Sequence, residues 1–146
     1  MSNWFAMGVN YGGFQDQDAE PVWSIFRDHQ IACNGYARGS RTDIDAILDE
    51  IKYGDYIILK GFSPNTGICV YGIGEVIGMN TYPFPIPDNY KNQCIKLNWI
   101  LRSVDDRYVE KFPSLVGKPY SDQLFKLPSK AIYDISDWLK GIGIRV

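Results

Sequence analysis

The chain has 146 residues, a formal net charge of −2, 45% hydrophobic residues and 14% aromatics. That size and composition suit one globular domain, residues 1–146, and the slight negative charge argues against an indiscriminate nucleic-acid binder. The opening MSNWFAMGVNYGG has no basic flank, and no stretch nears the ~20 apolar residues of a membrane span, so neither a leader nor a membrane partner is expected.

Trp4 to Val9 is an apolar run that reads as the first strand, followed by the breaker-rich loop NYGGFQDQDAE. Pro21 suits the first turn of a helix. Val22, Ile25 and Phe26 form the core face of that helix, with Trp23 beside that face and His29 near its end. Ile31 to Cys33 is a short strand running into NGYARGS. Thr42 can cap the next helix, Asp43 and Asp45 favour its start, and Ile44, Ile47, Leu48 and Ile51 make its apolar stripe. Gly54 suits its left-handed stop. Tyr56 to Lys60 and Ile68 to Ile77 read as a hairpin around SPNTG. Ile95 to Val104 is a further strand, and a basic, irregular region broken at Pro113, Pro119 and Pro128 follows it. A last helix spans Ser129 to Lys140 with Ile132, Ile135 and Leu139 inward.

The run GIGEVIG invites comparison with a dinucleotide fingerprint, which needs a glycine turn opening directly into a helix. Here the spacing is one residue too long, and Pro83, Pro85 and Pro87 in the stretch that follows prevent a helix from starting. Gly72, Gly74 and Gly78 read instead as bends in a long strand that leave room beside it. Cys33, Cys69 and Cys94 are odd in number and far apart, with no C-x-x-C and a single histidine. They read as reduced, half-buried thiols of a cytoplasmic protein, and no metal site is expected. Residues 1–60 carry an excess of acid and residues 90–146 an excess of base, which allows a molecule with one basic side or simply intermixed surface charge. Two early helices among short bent strands indicate a β-rich α+β fold: a curled mixed sheet or pseudo-barrel with helices packed outside.

Asn34-Gly35-Tyr36, Lys52-Tyr53-Gly54-Asp55, Lys60, Gly72-Ile73-Gly74-Glu75-Val76 and Leu97-Asn98-Trp99 follow one another in a recognisable order. Over residues 4–102 this order resembles the EVE-like domains of the PUA/YTH superfamily, in the version found in front of 5-methylcytosine-type restriction ATPases. The resemblance implies a PUA-like barrel whose pocket takes a base flipped out of nucleic acid, often a modified one. Such a pocket needs aromatic faces for stacking and polar groups for the base edge. The implied walls are Trp23, Tyr36, Phe62 and Trp99, the implied edge readers Asn34, Asp55 and Ser63, and the implied phosphate contact Lys60. If nucleic acid binds, charge alone adds Arg38, Arg41 and the basic C-terminal third as further phosphate contacts. Several have a structural alternative: Trp99 as core, Asp55 as a turn cap, Lys60 as an exposed strand end. The chain departs from the pattern at Ala32, where the family usually carries an aromatic. Either that stacking wall is lost or another ring, such as Trp23, supplies it.

The expected function is therefore non-catalytic recognition of a base, in DNA before RNA, without a cofactor. The domain would serve as a specificity module beside an ATPase or nuclease subunit. Two alternatives stay open: a nucleotide- or RNA-acting enzyme on a related barrel, and a protein-interaction module. For the enzyme, Ser63 and His29 are far apart in sequence, and Asp105 and Asp106, being adjacent, point to opposite faces if they lie in a strand.

Overall fold

The computed structural model describes residues 2–12, 19–34, 39–63, 67–79 and 94–146. Its elements in chain order are β1 (Trp4–Gly8), β2 (Asn10–Gly12), β3 (Ala19–Pro21), α1 (Trp23–His29), β4 (Ile31–Cys33), α2 (Thr42–Glu50) and β5 (Tyr56–Ser63). They continue with β6 (Gly67–Met79), β7 (Cys94–Arg102), β8 (Glu110–Phe112), β9 (Leu124–Lys126) and α3 (Ser129–Gly141). Seven strands form one curled sheet in the order β4-β7-β6-β5-β1-β9, with β8 also on β6. β2 and β3 make a separate ribbon. Only the β1–β5 pair is parallel among the described strands. The β-rich α+β expectation holds.

Alternation along the strands divides the core between the two faces of the sheet. Phe5, Met7, Ile57 and Leu59 point to one face, where Val22, Trp23 and Phe26 of the α1 region and Ile44 and Leu48 of α2 cover them. Trp4, Ala6 and Ile58 point to the other, beneath Ala131, Ile135 and Leu139 of α3. Burying each such aliphatic side chain contributes about 1.5–3 kcal/mol. A charge at Ile135, which is wholly buried on the sheet-facing side of α3, would therefore release that helix.

Three local expectations need correction. Pro21 lies in β3 rather than in the helix, and Val22 caps α1. Thr42 is the first helical residue of α2, and Arg41 is its extended N-cap without a side-chain cap bond. Gly54, at φ +90°, turns the chain after the helix has already stopped at Ile51. The basic C-terminal region is also more regular than its prolines suggested, because β8 and β9 pair with β6 and β1.

Long β6 bends where its register slips. Leu59 faces Gly72 while Lys60 faces Val70, so Tyr71 is the extra residue of a bulge. Further slips against β7 fall at Ile73/Gly74 and Val76/Gly78. The glycines thus mark the bends, as expected. The space beside them is filled, however. A Cβ on Gly72 would lie 2.6 Å from Trp23 Cη2 and 3.1 Å from Trp99 Cζ3, and one on Gly74 would lie 2.8 Å from Leu97 Cβ.

Candidate functional site

Trp23 is 3% exposed, and its Nε1 donates to the Asp105 carbonyl at 3.1 Å. Trp99 is half-buried, and its Nε1 donates to the Arg27 carbonyl at 3.1 Å. The two rings meet edge-on with centroids 5.3 Å apart, above Gly72. Both indole N–H groups are spent on the backbone, and the rings pack against each other and the α1-side core. These tryptophans are packing residues here rather than the open walls expected of them, and the room attributed to Gly72 is theirs. Trp23 lies on the buried side of α1 because the 103–107 turn closes over it, adding a second buried face to a short helix.

Asp55, 5% exposed, uses both carboxylate oxygens locally. Oδ1 accepts from the Asn3 amide and Oδ2 from the Lys52 amide, each at 2.9 Å. It holds the turn before β5 against the start of the chain, which is the structural alternative rather than an edge-reading role.

Lys60 corrects a phosphate contact and an exposed strand end together. It is 3% exposed, and its Nζ donates to the carbonyls of Tyr120 at 3.0 Å and Asp122 at 2.6 Å. The ammonium also lies 5.6 Å from the centre of the Phe125 ring. Burial pulls its pKa down to about 8, against the opposing pull of Asp122. Arg41 is exposed but engaged: its guanidinium grips Asp43 through Nε–Oδ1 at 3.0 Å and Nη2–Oδ2 at 2.8 Å. That bond draws the Asp43 carboxyl down to about 2. An approaching phosphate would have to displace this partner.

Asn34 is wholly buried directly after β4. Tyr36 and Arg38 lie outside the described residues, as do the side chains of Phe62 and Ser63, whose backbone belongs to β5. Strand register separates the remaining candidates. Cys33, next to Asn34, faces Cys94, and Ile95 faces Met79 at the end of β6. Lys60 faces Val70 near the start of β6. At about 3.3 Å per residue, the stretch from Val70 to Met79 measures roughly 30 Å if straight. Asn34 and the Lys60–Phe62 region therefore sit toward opposite ends of the sheet. The enzyme alternative meets the same separation. Lys96, opposite Gly78, holds the His29 carbonyl through its Nζ, whereas Ser63 faces Gly67.

Two further features were not anticipated. Cys33 and Cys94 form a disulfide between facing positions of β4 and β7, which overturns the reading of three reduced thiols; Cys69 is the free cysteine. Their pairing follows from strand register, which a separation of 61 residues conceals. The second feature is an aromatic row that continues outward from Trp99 and Trp23. Trp23 and Tyr71 are 5.9 Å apart, and Tyr71 meets Tyr108 edge-on at 6.4 Å. Tyr108 is 41% exposed, and Lys111 Nζ lies 5.3 Å from its ring centre. Tyr71 fills the space over Gly61, 3.3 Å from where a Cβ would stand. The sequence signal was Tyr108-x-x-Lys111, an aromatic and a base on a strand approach. The row offers stacking faces and one cation at its solvent end. Among the described residues no helix is long and apolar enough to cross a membrane, and no group of three or more metal-ligating side chains occurs.

The sequence matches no family model and no curated protein. Structural comparison does find relatives in shape. One is the YTH domain of Mmi1 in a crystal structure with RNA, with a TM-score of 0.50 and 10% identity over 99% of this chain and 83% of that one. Another structure of the Mmi1 YTH domain gives a TM-score of 0.55 and 11% identity over 97% of this chain and 76% of that one. Nearly the whole chain thus follows the path of a YTH domain, and its curled sheet with helices on both faces is a YTH-like fold.

Proposed function

We propose that this chain is a non-catalytic nucleic-acid-recognition domain that reads a base at the end of the sheet beyond β4. The observation that carries this reading is the likeness, along 99% of the chain, to a YTH domain solved with RNA. The sequence resemblance to EVE-like domains points the same way by independent signals. Asn34 and Tyr36 supply what a base needs, an amide for its edge and a ring for its face. The reading extends to a flipped, modified base, to RNA before DNA in view of that structural relative, and to a specificity role beside a nuclease or ATPase subunit in the cytoplasm.

The test is a fluorescence titration with short single-stranded RNA and DNA, each with and without methylated bases, on the parent protein, Asn34→Ala and Tyr36→Ala. Base–aromatic stacking is worth about 1–3 kcal/mol, so Tyr36→Ala should weaken binding roughly five- to a hundred-fold at an unchanged melting temperature. Absence of binding to every oligonucleotide would sink the reading. Equal binding by parent and Tyr36→Ala would move the site elsewhere.

A further inference from the structure

The Cys33–Cys94 disulfide joins β4 to the first residue of β7. β4 is a three-residue strand at the edge of the sheet, paired only to β7 among the described strands through Ile31–Lys96, Ala32–Ile95 and Cys33–Cys94. The bridge therefore sits at the last rung of a very short ladder, and the next residue along β4 is the buried Asn34. Both cysteines are buried, so a reagent reaches them only when this edge opens locally. Short edge strands open at far lower cost than a whole domain. Sealing the rung also closes a 61-residue separation and removes chain entropy from every state in which β4 has left the sheet.

We infer that this bridge is a reversible thiol–disulfide switch on nucleic-acid binding, a proposal that rests on the reading of the β4 end as the base site. In the reduced protein β4 loses its covalent tie to β7, and Asn34, the next residue, moves with β4 whenever this edge opens. Oxidation by a small disulfide such as oxidised glutathione takes two steps. One cysteine thiolate attacks the small disulfide, forming a mixed disulfide and releasing one glutathione thiolate. The second cysteine thiolate then attacks that mixed disulfide, forming the Cys33–Cys94 bond and releasing the other. The two protein thiols together lose two electrons and two protons, and one glutathione disulfide becomes two glutathione thiols. The oxidised protein holds Asn34 in one place before the ligand arrives, and a larger binding-competent fraction lowers the apparent Kd in proportion.

The experiment compares the 146-residue chain equilibrated with reduced and with oxidised glutathione, using thiol counts after denaturation, melting curves and titration with a single-stranded RNA decamer. Three thiols are expected in the reduced form and one, Cys69, in the oxidised form. Oxidation should raise the melting temperature by roughly 10 °C and tighten RNA binding roughly five- to fifty-fold. The paired substitution Cys33→Ser with Cys94→Ser should abolish both responses, and Cys69→Ser should keep them. A bridge that millimolar reduced glutathione never opens, or equal RNA affinity in both forms, overturns the switch while leaving the domain's function standing. Failure of both forms to bind any oligonucleotide overturns the function itself, and the switch with it.

Discussion

Lys60 gives a pH dependence whose sign is opposite to that of its neighbours. Its amine is buried, with a pKa lowered to about 8 from the ordinary 10.5. Below pH 8 both folded and unfolded chains carry the proton, and the folded state bears the full cost of a desolvated charge. Between pH 8 and 10.5 the folded chain releases the proton first, so the unfolded chain binds more protons and stability rises with pH. A neutral amine keeps two N–H donors, enough for the carbonyls of Tyr120 and Asp122. At about 1.4 kcal/mol per tenfold change in the equilibrium, the rise amounts to roughly 2 kcal/mol between pH 7 and pH 9.5, and roughly 3 kcal/mol in full. Tyr71, Tyr120 and Cys69 work the other way, because burial raises their pKa values and their contribution falls at alkaline pH. The assay must cancel them. Urea unfolding of the parent and of Lys60→Met at pH 7, 8, 9 and 9.5 gives a difference in which only the lysine titration survives. Lys60→Met also strands two carbonyls at about 1–3 kcal/mol each, which offsets the charge burial it removes, so the difference at any single pH is not diagnostic. The slope is: it should move in favour of the parent by roughly 2 kcal/mol from pH 7 to 9.5. A flat difference would refute a desolvated Lys60 ammonium.

Gly72→Ala should destabilise by about 1–3 kcal/mol, read from urea midpoints, because its Cβ would press on the rings of both Trp23 and Trp99. Asp55→Ala leaves the Asn3 and Lys52 amides without their acceptor, and a loss of about 2–4 kcal/mol is expected in the same assay, with Asp55→Asn recovering part of it. Trp99→Ala should cost about 2–4 kcal/mol, below the figure for a fully buried tryptophan, and leave oligonucleotide affinity unchanged under folding conditions. A Trp99→Ala protein that melts normally but has lost binding would return this ring to the site.

Elements with strong local periodicity were legible in the sequence. The stripe of α2, the β5–β6 hairpin and α3 fall within a few residues of expectation because each carries its own pattern. β8 and β9 were not legible, since three-residue strands between prolines have no period, and their partners on β6 and β1 decide them. Trp23 was placed beside the helix face because a helical wheel allows one buried side, whereas Asp105 and its turn supply a second. Lys60 looked like an exposed strand end because what buries it, the segment around Tyr120 to Phe125, arrives some sixty residues later. The resemblance found the right fold and named residues at motif positions. It could not tell which of those side chains were consumed by packing.

That distinction bears on where recognition can occur in this architecture. One face of the sheet is covered by α1 and α2 and the other by α3, and the polar groups on those faces are largely committed. The indoles of Trp23 and Trp99, the carboxylate of Asp55 and the ammonium of Lys60 all bond to the chain's own backbone. A ligand that competed for any of them would have to unpack the core and strand buried polar groups, a loss that stacking one base at about 1–3 kcal/mol does not offset. On the proposed reading, binding is therefore driven to the strand ends, where the sheet stops. One end carries the disulfide and Asn34, which is itself wholly buried and is reached only when that edge opens, and the other carries Tyr71, Tyr108 and Lys111. Substitutions on the two faces should accordingly change stability, and substitutions at the ends should change affinity. Sheet register decides which class a residue belongs to, and its motif does not.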